Sequence, residues 1–126
     1  MRYSKVIYRD SAKPASQVVF GVVIQNDNGE ITSKFAINDE KFKKIKEMNP
    51  SVDWDTFRLF DKTFHDDFIK NGFVETTESD GKKKIMTTDP KFLDYLHRTF
   101  QNNYQFTDPE TIDAQKVVDL LVSMEN

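Results

Sequence analysis

The stretch Val18-Val19-Phe20-Gly21-Val22-Val23-Ile24, followed by Asn28-Gly29 and then Ile31-Thr32-Ser33-Lys34-Phe35-Ala36-Ile37, decides the fold. A strand with one wet face alternates apolar and polar residues, whereas the first segment is apolar almost throughout. It predicts a strand covered on both faces near the centre of a sheet. Gly21 in its middle predicts a bulge or the close approach of another group. The last segment does alternate, with Ile31, Ser33, Phe35 and Ile37 on one face. Asn and Gly tolerate positive φ, so Asn28-Gly29 predicts a tight hairpin with both turn residues in that region.

Reading outward, Tyr3 to Arg9 is rich in Val, Ile and Tyr and predicts a strand that completes a three-stranded antiparallel meander. The segment Asp10 to Gln17, with Pro14, is a loop. Downstream, Asn38 or Asp39 caps a short helix to about Met48, with Phe42, Ile45 and Met48 inward and Asn49-Pro50 ending it. Asp53 caps the next helix, with Val52 and Phe57 spaced as a hydrophobic staple. Phe57, Phe60, Phe64 and Phe68 then share one face, with Trp54 at its edge, until Asn71-Gly72 supplies a left-handed stop.

Phe73 to Thr88 predicts a second, polar and peripheral hairpin turning at Asp80-Gly81, which sets Glu78 opposite Lys83. Asp89-Pro90 reads as the cap and first residue of a third helix, with Phe92, Leu93, Leu96 and Phe100 inward. Tyr104 and Phe106 suggest a brief extended segment and Asp108-Pro109 a turn. Asp113 caps a last helix docked through Val117, Val118, Leu121 and Met124. The whole is an α+β fold. A small antiparallel sheet, made of the N-terminal three-stranded meander plus a peripheral hairpin, packs against about four helices in one domain over residues 1–126.

Composition narrows the chemistry. The chain has no cysteine, two histidines (His65 and His97) and four glycines, so disulfides and thiolate sites are absent. Neither a phosphate-cradling glycine loop nor a Gly-x-Ser-x-Gly elbow occurs. Eleven phenylalanines offset a hydrophobic fraction of only 37%. The net charge of −3 argues against a strongly basic nucleic-acid reader. No apolar run reaches spanning length and the first residues carry no signal-peptide pattern, so a soluble, cytoplasmic protein without a membrane partner is the expectation.

Several segments resemble a small bacterial family known as domain of unknown function 3037. They are Tyr3 with the strand ending at Arg9, Val19-Phe20-Gly21-Val22-Val23, Phe35, Pro50-Ser51-Val52-Asp53, and Tyr104-Gln105-Phe106-Thr107-Asp108-Pro109 with the aliphatic helix after it. Val19 stands where the family usually has Asn, which removes any polar role there. The family has no established activity. The resemblance implies a partner protein, kinase-like or connected with defence.

Asp61 is the residue to explain, because a helical wheel puts it inside the Phe57, Phe64, Phe68 face. A carboxylate at a core must be paired, rim-placed or functional. Arg58 and His65 lie within reach on the same side, so an Arg58-Asp61-His65 network is one reading and an acid–base pair at a cleft another. A metal site would need Asp61, His65 and Asp66 joined by Asp94 and His97, and two histidines with scattered aspartates are common by chance. The candidate binding residues are Asp53, Asp55, Asp61, His65, Asp66 and Asp67. No cofactor and no resident metal are implied. The first functional expectation is a non-enzymatic protein-binding module, a small partner or regulator of another intracellular protein. The rivals are a phage-type inhibitor or nucleic-acid mimic presenting an acidic helix, and a small enzyme using Asp61 with His65.

Overall fold

The computed structural model describes residues 1–10, 12–13, 16–78 and 81–123, with the side chains of 76–78 left aside. Strands β1 (Arg2–Arg9), β2 (Gln17–Gln25) and β3 (Ile31–Phe35) form the antiparallel meander. Helix α1 (Asp39–Met48) and helix α2 (Trp54–Thr63) follow, and α2 runs directly into a π-helical segment, Phe64–Ile69. The hairpin β4 (Phe73–Glu78) and β5 (Gly81–Met86) forms a separate two-stranded sheet. Helix α3 (Phe92–Thr99), the short strands β6 (Tyr104–Phe106) and β7 (Glu110–Thr111), and helix α4 (Ala114–Ser123) complete the chain. The main sheet runs β3-β2-β1-β6, and β7 pairs with β1 beside Arg2 and Tyr3. This is the α+β architecture expected, with β7 as an addition that two polar residues could not announce.

The apolar run of β2 is explained by cover on both faces and by a bulge. Val6 pairs with Gly21 and Ile7 with Val19, so Phe20 is the extra residue. A bulge inverts the side-chain phase beyond it. Val18 before it, Phe20 within it and Val23 after it join the core under α1, α2 and α3, while Val22 and Ile24 join Val117, Leu120 and Leu121 of α4 on the other face. Simple alternation would be broken by that inversion even if only one face were covered. Gly21 also accepts a close approach, since a Cβ there would collide with the ring of Phe35.

Asn38 and Asp53 cap α1 and α2 as expected, accepting from the N–H groups of Lys41 and Thr56. Val52 and Phe57 are both buried in the main core. The rings close over one another: Phe20 meets Phe57 edge-on at 5.4 Å, and Phe60 stacks on Tyr104 at 4.6 Å. Each such pair is worth about 0.5–1.5 kcal/mol beyond its buried area.

Six expectations need correction. The β2–β3 turn is longer than two residues: Asn26 N–H donates to the Glu30 carbonyl, Gly29 N–H donates to the Asn26 carbonyl, and only Gly29 (φ +87°) is left-handed. That is a three-residue loop, in which a type I turn needs a single glycine. The helix of phenylalanines is not uniform, since Lys70 N–H donates to the His65 carbonyl five residues back. Glu78 faces Gly81, and Lys83 faces Thr76, so the pairing is offset from the one expected. Asp80 itself, like Pro14 and Met124, lies outside the described residues.

Helix α3 begins at Phe92, later than Asp89-Pro90 suggests; Asp89 still accepts from the Lys91 N–H, in a turn ahead of the helix. In α4, Leu120 docks where Val118 was expected, and Val118 is 61% exposed. Finally, Arg58 pairs with Asp55, at 3.5 Å, and not with Asp61.

Candidate functional site

β3 is an edge strand, and its inward face meets the end of α2. The alternation Ile31, Ser33, Phe35 points these three side chains at the helical layer. Ser33 is the one polar member. Its Oγ lies 2.8 Å from Nε2 of His65, the second residue of the π-helical segment. Across the ring, His65 Nδ1 lies 2.7 Å from Asp61 Oδ1 and 2.9 Å from the Asp61 carbonyl oxygen. Both of those oxygens can only accept, so Nδ1 carries the proton. In the neutral ring Nε2 is then the acceptor, and the Ser33 hydroxyl donates to it. The result is a continuous Ser33–His65–Asp61 relay from the sheet edge to the helix.

The helix geometry makes the relay possible. Asp61 and His65 are four residues apart, so an α-helical turn stacks them. The switch to π-helical winding starts at Phe64, immediately before His65. Phe64 is buried with Phe35 at 5.5 Å, and the His65 ring meets Phe35 edge-on at 5.7 Å. Thus Asp61 escapes the core: its side chain is 50% exposed and that of His65 43%. The rim placement answers the wheel's paradox of a carboxylate among phenylalanines.

Beside the relay is a solvent-open pocket of about 150 Å³, lined by Phe20, Phe35, Ile37, Trp54, Phe57, Arg58 and Asp61. A cavity of that size accommodates one benzene ring. Trp54 also stacks on Phe42 of α1, with centroids 4.5 Å apart.

The other candidate residues are dispersed. Asp53 is used as a cap, and its carboxyl is held below the usual range by the Thr56 N–H and hydroxyl. Asp55 faces Arg58. Asp66 and Asp67 are exposed on the π-helical segment. Asp94 takes both guanidinium nitrogens of Arg2 at 3.2 Å, and His97 Nδ1 lies 2.8 Å from the Phe106 carbonyl, which ties α3 to β6. The set Asp61, His65, Asp66, Asp94 and His97 is not gathered into one centre, and among the described residues no group of three His, Asp or Glu side chains could hold a metal ion.

Sequence reasoning missed Ser33, whose partner is 32 residues away. A signal existed: Ser33 is the polar residue in an otherwise apolar inward series. No family model, curated protein or solved structure matches the chain. No helix among the described residues is long and apolar enough to cross a membrane.

Proposed function

We propose that this chain is a protein-binding module, a small partner or regulator that takes an extended segment of another protein along β3. The observation that carries this reading is the pocket for a single ring placed directly beside an open strand edge. Ala36 N–H donates to the Phe20 carbonyl, so by alternation the backbone groups of Ile31, Ser33 and Phe35 point away from β2. Among the described residues no strand pairs with that side. An added strand gains main-chain hydrogen bonds there, and an adjoining pocket supplies specificity through one side chain. An aromatic anchor fits the volume and the lining. The resemblance to domain of unknown function 3037 adds a kinase-like protein as the source of such a segment.

Trp54 is the one tryptophan and lines the pocket, so its fluorescence reports occupancy. The test is to pan a library of extended peptides against the protein and titrate the selected peptides against Trp54 emission. Selected peptides should share an aromatic position, shift the emission and bind about tenfold or more weakly to Ile37→Glu, the loss expected when a buried anchor meets a charge. Binding indifferent to Ile37→Glu overturns the reading. Binding abolished by salt would instead favour the exposed carboxylates Asp66 and Asp67 as the contact.

A further inference from the structure

We propose that Ser33 is an activated nucleophile that accepts acyl groups from small aryl-substituted esters. This goes beyond protein binding and does not rest on it. The order of the groups carries the inference. A serine hydroxyl donates to an imidazole Nε2, and the opposite nitrogen of that ring is fixed as a donor by a carboxylate, at 2.8 and 2.7 Å. Those are the roles of nucleophile, general base and orienting group, which recur on unrelated folds and are recognised by geometry and not by chain order.

Three further features converge on the same place. His65 sits in a π-helical segment, a rare conformation found often at functional sites. The Ser33 N–H lies on the open side of β3 and has no partner among the described residues, so it can donate to an oxyanion forming on a carbonyl bound at Oγ. Phe35 and Asp61 both border the apolar pocket, which would hold the ring of the acyl group.

The chemistry balances without any other reagent but water. The Ser33 Oγ forms a bond to the ester carbonyl carbon while its proton passes to His65 Nε2, and the carbonyl electron pair moves onto oxygen. Collapse of that tetrahedral species breaks the bond to the alkoxy oxygen, which leaves with the proton from His65. Water then attacks the acyl-Ser33 by the same route, giving the acid and free Ser33. Asp61 borders the ring pocket but touches neither the nucleophile nor the reacting carbonyl, so in the reaction it is a positioning residue. It and His65 are each about half exposed, so solvent screens their coupling and the reaction is slow. Covalent labelling is therefore the sensitive readout, ahead of turnover.

The experiment treats the folded full chain with a fluorophosphonate probe, in which Oγ displaces fluoride from phosphorus, and maps the adduct by mass spectrometry. The adduct should fall on Ser33, be absent from Ser33→Ala, and form about a hundredfold more slowly in His65→Gln, the usual share of a general base. Asp61→Asn should slow it less. The wild-type chain unfolded in urea has the same serine without the relay and should not label, which keeps the test decisive should a variant fail to fold. With esters, nitrophenyl phenylacetate should acylate Ser33 faster than nitrophenyl acetate. No adduct at Ser33, or equal labelling of folded and unfolded chain, overturns the proposal and leaves the relay as a tie between β3 and α2.

Discussion

Phe35 lies directly opposite Gly21 in the β2–β3 register and lays its ring over the space where a Cβ of residue 21 would be. The same ring meets Phe60 at 5.6 Å and Phe64 at 5.5 Å, and lines the pocket next to the relay. Gly21→Ala should therefore destabilise the protein by about 1–3 kcal/mol, the cost of forcing atoms into a packed site. The loss should shrink in a Phe35→Leu background, because the clash partner is then smaller and more adaptable. Urea unfolding of the four proteins of that cycle measures the coupling. Additive losses would mean that the glycine is needed for the bulge alone.

Gly29 and Gly72 have similar backbone angles, φ +87° and +80°, but different surroundings. A Cβ on Gly29 would lie 2.9 Å from the Thr88 carbonyl oxygen, whereas nothing lies within 4 Å at Gly72. Gly72→Ala should thus cost only the left-handed strain, about 1–2 kcal/mol. Gly29→Ala should cost clearly more, since it also pushes away the segment of Thr87 to Asp89 whose carbonyls bind the buried Gln25 side chain. Thermal or urea midpoints of the two variants make the comparison, and equal losses would discard the packing argument.

The last helix offers a contrast between neighbouring aliphatics. Val118 is 61% exposed and Val122 53%, whereas Leu120 and Leu121 pack against Val22 and Ile24. Val118→Lys should change stability by no more than about 0.5 kcal/mol, as surface substitutions do. Leu121→Ala should cost about 1–2 kcal/mol, below the range for a fully buried leucine because Leu121 is only half-buried. Unfolding curves that rank them the other way would put a different face of α4 on the sheet.

These cases also mark how far the sequence could be read. The meander, the caps at Asn38, Asp53 and Asp113, and the inward face of α3 were legible because each depends on local residue types or on one short period. Val118 was misassigned because α4 carries aliphatics at 117, 118, 120, 121 and 122, so periodicity alone left several faces possible. The hairpin registers depart for a related reason: Asn-Gly and Asp-Gly dipeptides mark a turn without fixing both its length and its position, the first differing in length and the second in position. The relay was half legible. Asp61 and His65 share a helix and follow from spacing, whereas Ser33 comes from a strand, and only the fold brings it to Nε2. The π-helical winding that seats His65 has no sequence period of its own and could not be foreseen.

Asp53 starts the helix that supplies Trp54, Phe57, Arg58 and Asp61 to the pocket and relay, so the ionisation of this cap bears on the site. Its carboxylate accepts from the Thr56 N–H and hydroxyl at 3.0 Å each, and these bonds, the backbone one foremost, lower its pKa. The sign follows from that depression. Above the unfolded value of about 3.9 both states are ionised and the cap contributes fully. As pH falls through the lower folded value, the native carboxyl takes up its proton and the contribution is lost. Asn also caps helices but does not titrate. The wild type should therefore be more stable than Asp53→Asn near neutrality, with the gap closing only once the pH drops below the ordinary carboxylate range. Urea midpoints of both proteins across an acid series give the measurement, and the other carboxylates cancel because the two chains share them. A gap that stays constant to the acid end would show that the Thr56 bonds do not favour the ionised form, and that α2 is held at its start by the burial of Val52 and Phe57 instead.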